Sequence, residues 1–132
     1  MEIPDVACRI DAYCSINPSE DPQKVEQAIS NVLLEMDFKF NKDSLMATSK
    51  NLECLSRIYE TIHAKKIKNA YRLQLKQNLL GDSTWFYLNK QAAFANSIAL
   101  CGEAEESPLG PIKVIINAKN IERVIEWLVT DF

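Results

Sequence analysis

Apolar and polar residues alternate without a break from Val6 to Ile16. Val6, Cys8, Ile10, Ala12, Cys14 and Ile16 fall on one side; Ala7, Arg9, Asp11, Tyr13 and Ser15 fall on the other. A period of two over this length predicts a strand over 6–16 with one face on a core and one more polar face. Asn17-Pro18-Ser19-Glu20-Asp21-Pro22 then ends the strand and opens a helix. The Asp21 carboxylate suits the N-cap, where free backbone N–H groups need an acceptor. Pro22 suits the first helical position, which needs no N–H. From there the period lengthens: Val25, Ala28, Ile29, Val32, Leu33 and Met36 form one stripe and predict a helix over 22–36.

Phe38 and Phe40 flank Lys39, Asn41-Lys42-Asp43 reads as a tight turn, and Leu45 and Ala47 alternate with Ser44, Met46 and Thr48. Together they predict a hairpin over 37–49. Residues 51–80 hold no proline or glycine and read as helical. Their apolar face moves, however. Leu52, Leu55, Tyr59 and Ile62 share one side; Ile67, Tyr71, Leu75 and Leu79 share another. One straight helix cannot bury both sets against one surface, so a break near His63–Lys66 is predicted, with Gly81 as the final stop. Thr84–Leu88 is an aromatic-rich strand. Ile98–Cys101 is its expected antiparallel partner, joined to it by a connection over Asn89–Asn96. Ile112–Ile116 is a further strand, and Asn120 is placed to cap a last helix striped by Ile121, Val124, Ile125 and Leu128.

The resulting order, β-α-β-β-α-α-β-β-β-α, lacks regular βαβ repetition. It predicts the α+β class: a two-layer sandwich of a mixed, mostly antiparallel sheet with helices on one face. The 132 residues are read as one domain, 1–132. No window approaches the ~18 consecutive apolar residues of a membrane span. The start, Met1-Glu2-Ile3-Pro4-Asp5, lacks the basic-then-apolar order of a signal peptide, so a cytoplasmic protein away from the membrane is expected. Cys8, Cys14, Cys54 and Cys101 form no C-x-x-C pair, and six residues of strand hold Cys8 and Cys14 about 20 Å apart. They read as small buried side chains in a reducing compartment.

The net charge of −3 conceals an uneven distribution. Residues 57–90 carry Arg57, Lys65, Lys66, Lys68, Arg72, Lys76 and Lys90 against Glu60 and Asp82, a local balance of +5. A local field, not the net charge, decides what a surface attracts. At about 100° per residue, Lys65, Lys68, Arg72 and Lys76 fall on one narrow helical face about 16 Å long. That face suits several phosphates of a polyanion; a solvated surface helix is the plain alternative.

Trp85 and Tyr87 share one face of their strand, Phe86 and Leu88 the other. One row must face a core. The other either offers a platform on which unpaired bases stack, with Tyr13 beside it, or is covered by helices or a partner. Asn89-Lys90-Gln91 supplies donors in a connection, where binding groups concentrate, or else satisfies the turn itself. Glu103, Glu105 and Glu106 read either as cation ligands or as an ordinary acidic loop. Ser107-Pro108-Leu109-Gly110-Pro111 reads as a rigid bend. His63 is the only histidine, tied by spacing to no nucleophile, and three glycines cannot form a nucleotide-binding fingerprint. No catalytic constellation, cofactor motif or metal-ligand spacing is present.

Phe86-Tyr87-Leu88-Asn89-Lys90-Gln91-Ala92-Ala93-Phe94 and Glu106-Ser107-Pro108-Leu109-Gly110-Pro111-Ile112 resemble a family of small archaeal proteins grouped with predicted RNA-binding domains. Asn17–Pro22 and Glu122–Leu128 look like the family too, so the resemblance spans about residues 7–129. It implies a fold similar to the ribosomal protein that binds 5S rRNA, and some of the wider group is linked to the archaeal exosome. Relatives tend to carry an acidic residue where this chain has Asn69, and often glycine near Asn96.

The function expected on these grounds is a non-catalytic RNA-binding module, accessory to RNA processing or ribosome function. Lys65, Lys68, Arg72 and Lys76 would hold phosphates, Lys90 and Gln91 would position the strand, and Trp85 or Tyr87 would stack on bases. The alternative is a protein-interaction or structural subunit, as a homodimer or in a complex, that binds no nucleic acid. An enzyme with a site around Asn89–Gln91 is the remaining, weakest reading.

Overall fold

The computed structural model of the chain describes residues 2–130. Six strands, β1 (Cys8–Ser15), β2 (Asp37–Phe40), β3 (Ser44–Ser49), β4 (Ser83–Leu88), β5 (Leu100–Cys101) and β6 (Ile112–Ala118), form one sheet in the order β2-β3-β1-β6-β4-β5. Every neighbouring pair is antiparallel. The five helices are α1 (Pro22–Val32), α2 (Ser56–Ala64), α3 (Lys68–Gln77), α4 (Lys90–Phe94) and α5 (Ile121–Val129). Single 3₁₀ turns lie at Leu52–Leu55 and Ala104–Glu106.

The alternation seen in the sequence becomes two unlike faces. Ile10, Ala12, Cys14, Leu45, Ala47, Phe86, Leu88, Ile112, Val114 and Ile116 are buried and join the apolar stripes of the helices in one core. The chain thus adopts the α+β two-layer architecture, with the sheet wholly antiparallel rather than mixed. Burial pushes the Cys14 thiol up to about 11 and the Cys54 thiol up to about 12, so both stay protonated and inert.

Several boundaries differ from the periodicity. Asp21 caps α1 as predicted, accepting from the Gln23 N–H at 3.0 Å. Yet α1 stops at Val32, not Met36, because the chain turns extended at Leu33 and takes a left-handed φ of 52° at Glu35. Leu33 and Met36 are still buried, so the apolar stripe outlasts the helix. The break between α2 and α3 falls at Lys65–Ile67, with Lys66 at φ 54°. α3 ends at Gln77, and Gly81 (φ 61°) serves the turn into β4 rather than a helix end. The connection 89–96 holds α4, capped by Asn89 accepting from the Ala92 N–H at 2.9 Å. Asn120 occupies the N-cap position of α5, but its side chain makes no capping bond.

α3 lies over the core face of β4. The Thr84 hydroxyl donates to the Leu75 carbonyl at 2.6 Å, and Tyr71 meets Phe86 edge-on with ring centroids 5.7 Å apart. That placement fixes which row of the aromatic strand looks outward.

Candidate functional site

Phe86 and Leu88 point into the core and are fully buried, so Trp85 and Tyr87 point the other way. Among the described residues no helix covers that second face. The two rings lie 4.9 Å apart, tilted by 59°. The Lys113 ammonium sits 4.5 Å from the centre of the Trp85 ring, a cation–π contact that keeps a positive charge on the aromatic surface. Strand register extends this patch. Lys113 of β6 lies directly between Tyr13 of β1 and Tyr87 of β4. Met46 and Lys39 continue the same row through β3 and β2. Tyr13 is 44% exposed. At the flank, Arg9 pairs with Asp11 at 3.0 Å.

The basic helical segment does not form one continuous stripe. Lys65 follows the end of α2, and only Lys68, Arg72 and Lys76 share α3. The helical-wheel spacing therefore does not carry Lys65 onto the α3 face. Lys65 instead borders a cleft of about 310 Å³ with Arg57, Asn31 and Asn96. Arg72 donates to Asn69 Oδ1 at 2.9 Å and to the Val129 carbonyl at 2.8 Å. It caps the C-terminal end of α5, where carbonyls lack helical partners. Arg57 does the same for α1, donating to the Asn31 carbonyl at 2.6 Å. Lys76 is exposed; Lys68 is half-buried. α3 packs on the core side of β4, so its cations and the Trp85–Tyr87 pair occupy opposite sides of the sheet.

Lys90 is not a surface cation at all. Its side chain is 0% exposed, and its ammonium is held by both Glu20 oxygens at 3.0 and 3.2 Å, the Ser15 carbonyl at 3.0 Å and the Leu109 carbonyl at 2.8 Å. An ammonium so enclosed cannot reach a phosphate, which corrects the expectation that Lys90 helps hold a strand. The Leu109 carbonyl also accepts from Asn17 Nδ2 at 2.9 Å and Ser15 Oγ at 3.2 Å. Leu109 itself takes a left-handed φ of 64°. Three sequence segments, 17–20, 89–91 and 107–110, thus converge on one buried ion pair. Gln91 stays exposed, with only a long contact to the Pro108 carbonyl at 3.5 Å.

Burial works hardest on Glu20, and in the direction of protonation. Donors from the Asn17 backbone, the Asn17 side chain and Lys90 outweigh it, so the carboxyl is held below its ordinary value. Of the acidic loop, Glu106 accepts from the Glu103 N–H at 3.1 Å within its own turn. Among the described residues no group of three or more acidic, cysteine or histidine side chains is placed to hold a metal. No described helix is long and apolar enough to cross a membrane.

Sequence reasoning missed Lys113. It lies on the half-buried parity of β6 with Ile115 and Asn117, and that alternation was its one available signal. Its place between two tyrosines depends on register, which the sequence does not print.

The geometry defines an antiparallel sheet backed by helices on one side and carrying a half-buried aromatic, cation-bearing surface on the other. The sequence model of a family described as RNA binding matches residues 9–118, and the chain belongs to that family. It is 39% identical over 117 residues to a UPF0201 protein of Sulfurisphaera tokodaii, covering 86% of this chain and 81% of that one. It is 33% identical over 123 residues to a UPF0201 protein of Methanothermobacter thermautotrophicus, covering 93% and 92%. The crystal structure of a UPF0201 protein from Methanococcus jannaschii superposes with a TM-score of 0.80 at 25% identity, covering 94% of each chain.

Proposed function

We propose that the protein is a non-catalytic RNA-binding module, accessory to RNA processing or ribosome function. The observation that carries this reading is the sheet face away from the helices, on which the half-buried Trp85 and Tyr87 rings lie beside the Lys113 ammonium. Rings supply stacking surface to bases, and a cation among them supplies attraction to phosphate. The family description supports the same reading. Lys65, Lys68, Arg72, Lys76 and Gln91 form a second, outlying set. On this reading they meet the nucleic-acid backbone where it leaves the sheet, with Arg72 offering only the donors that α5 leaves over.

Fluorescence polarisation with a labelled RNA across a salt series tests the reading. Trp85→Ala should lower affinity about ten-fold or more, since one stacked base contributes about 1–3 kcal/mol. Lys65→Glu with Lys76→Glu should flatten the salt dependence, because each lost phosphate contact removes about 0.7 from the log–log slope for a single strand. Absence of RNA binding by the unaltered protein at low salt would remove the proposal.

A protein-interaction or structural role is the second reading. It is favoured by Leu73 and Leu80, which are 57% and 83% exposed on and just after α3. A mass above the monomer in light scattering that returns to the monomer in Leu73→Glu would support it.

A further inference from the structure

One feature of this face goes beyond a general affinity for RNA: the order of its side chains. Reading across neighbouring strands, the row runs Lys39, Met46, Tyr13, Lys113, Tyr87. Adjacent strands lie about 4.8 Å apart, so the Tyr13 and Tyr87 backbones stand about 10 Å apart with that of Lys113 midway, its ammonium leaning over Trp85 in the next row. A ring, a cation and a ring repeat the order base, phosphate, base. The row itself contains no carboxylate. In the neighbouring row, Asp11 is already paired with Arg9, and Asp37 lies at the sheet edge. Any partner laid on this row must supply the anions for Lys39 and Lys113. A phosphodiester chain brings its own.

Stacking needs an unoccupied base face. In a duplex each base is covered above and below by its neighbours, and the A-form helix shows proteins its sugar–phosphate exterior and a shallow groove. Rings standing on a sheet cannot enter that stack. Resting on the RNA-binding reading above, we infer that the sheet face takes single-stranded RNA. Two unpaired bases lie on Tyr13 and Tyr87, and the phosphate between them sits on Lys113.

The experiment compares a labelled single-stranded 12-mer of mixed sequence with the same strand annealed to its complement, by polarisation at fixed low salt. The unaltered protein should bind the single strand at least ten-fold more tightly. Tyr13→Ala and Tyr87→Ala should each lower single-strand affinity about ten-fold, whereas Tyr13→Phe and Tyr87→Phe should retain it, because the ring and not the hydroxyl does the stacking. Lys113→Gln should reduce the salt slope by about 0.7. Tyr13 is outside the core, so its variants test the idea even if Tyr87→Ala folds poorly. Duplex bound as tightly as single strand, with both tyrosine variants unchanged, overturns the inference and leaves the RNA-binding reading standing. Failure of the unaltered protein to bind either RNA removes both.

Discussion

Lys90 is the residue whose surroundings most sharply limit what it can do. Its ammonium faces four oxygens and no solvent. Removing one partner of such a pair leaves the other charge buried and uncompensated, at a cost of about 3–5 kcal/mol. Lys90→Met should therefore lower the free energy of unfolding in urea by about that amount. Adding Glu20→Gln to it should recover part of the loss, because the orphaned carboxylate disappears. Single-strand affinity of the folded fraction should stay unchanged. Loss of binding without loss of stability would return Lys90 to the functional set. Lys90 lies 70 residues from Glu20, and no local pattern announces such a meeting. The same distance hides the role of Leu109, whose left-handed backbone aims one carbonyl at three donors. Asn96, in the connection where the family resemblance leads one to expect a glycine nearby, takes φ 58°. Asparagine tolerates that region better than most residues, so the side chain fits the backbone.

At the scale of elements, arginines act as stays between helices. Arg72 on α3 donates to the last turn of α5, and Arg57 on α2 donates to the last turn of α1. A hydrogen bond from a charged donor contributes about 1.5–3 kcal/mol. Arg72→Ala should lower stability by about that much, and Lys should restore it poorly, since the guanidinium serves Asn69 and Val129 together. Thermal unfolding of the three proteins checks it; an unchanged midpoint in Arg72→Ala would show that the cap is dispensable. Strands β1 and β6, the hairpin β2–β3 and the break between α2 and α3 were legible because each rests on local periodicity or turn chemistry. Helix α4 was not, since five residues show too little of a helical period. Periodicity overruns the end of α1 because burial of Leu33 and Met36 continues in non-helical backbone. The cationic stripe presupposes one continuous helix, and the break between α2 and α3 takes Lys65 out of it. Trp85 and Tyr87 could be paired from the sequence, but which side of β4 they occupy follows only from where α3 lands.

At the scale of the whole molecule, the depressed carboxyl of Glu20 links stability to acid. The unfolded value is about 4.3, and the folded value is lower. Its contribution is therefore full above about pH 5 and is lost as pH falls through the folded value. Urea midpoints measured from pH 7 down to pH 2 should decline on that limb, and Glu20→Gln should make the decline shallower. A Glu20→Gln curve parallel to that of the unaltered protein would place the acid sensitivity elsewhere.

The flanks of the sheet carry a different consequence. β2 at one border is four residues long and bears Asp37 and Lys39; β5 at the other is two. A foreign strand seeking to splice itself alongside finds little exposed ladder to template on and charges where it would need bare backbone. Copies crowded together should thus resist fibrous growth, and whatever docks must approach broadside.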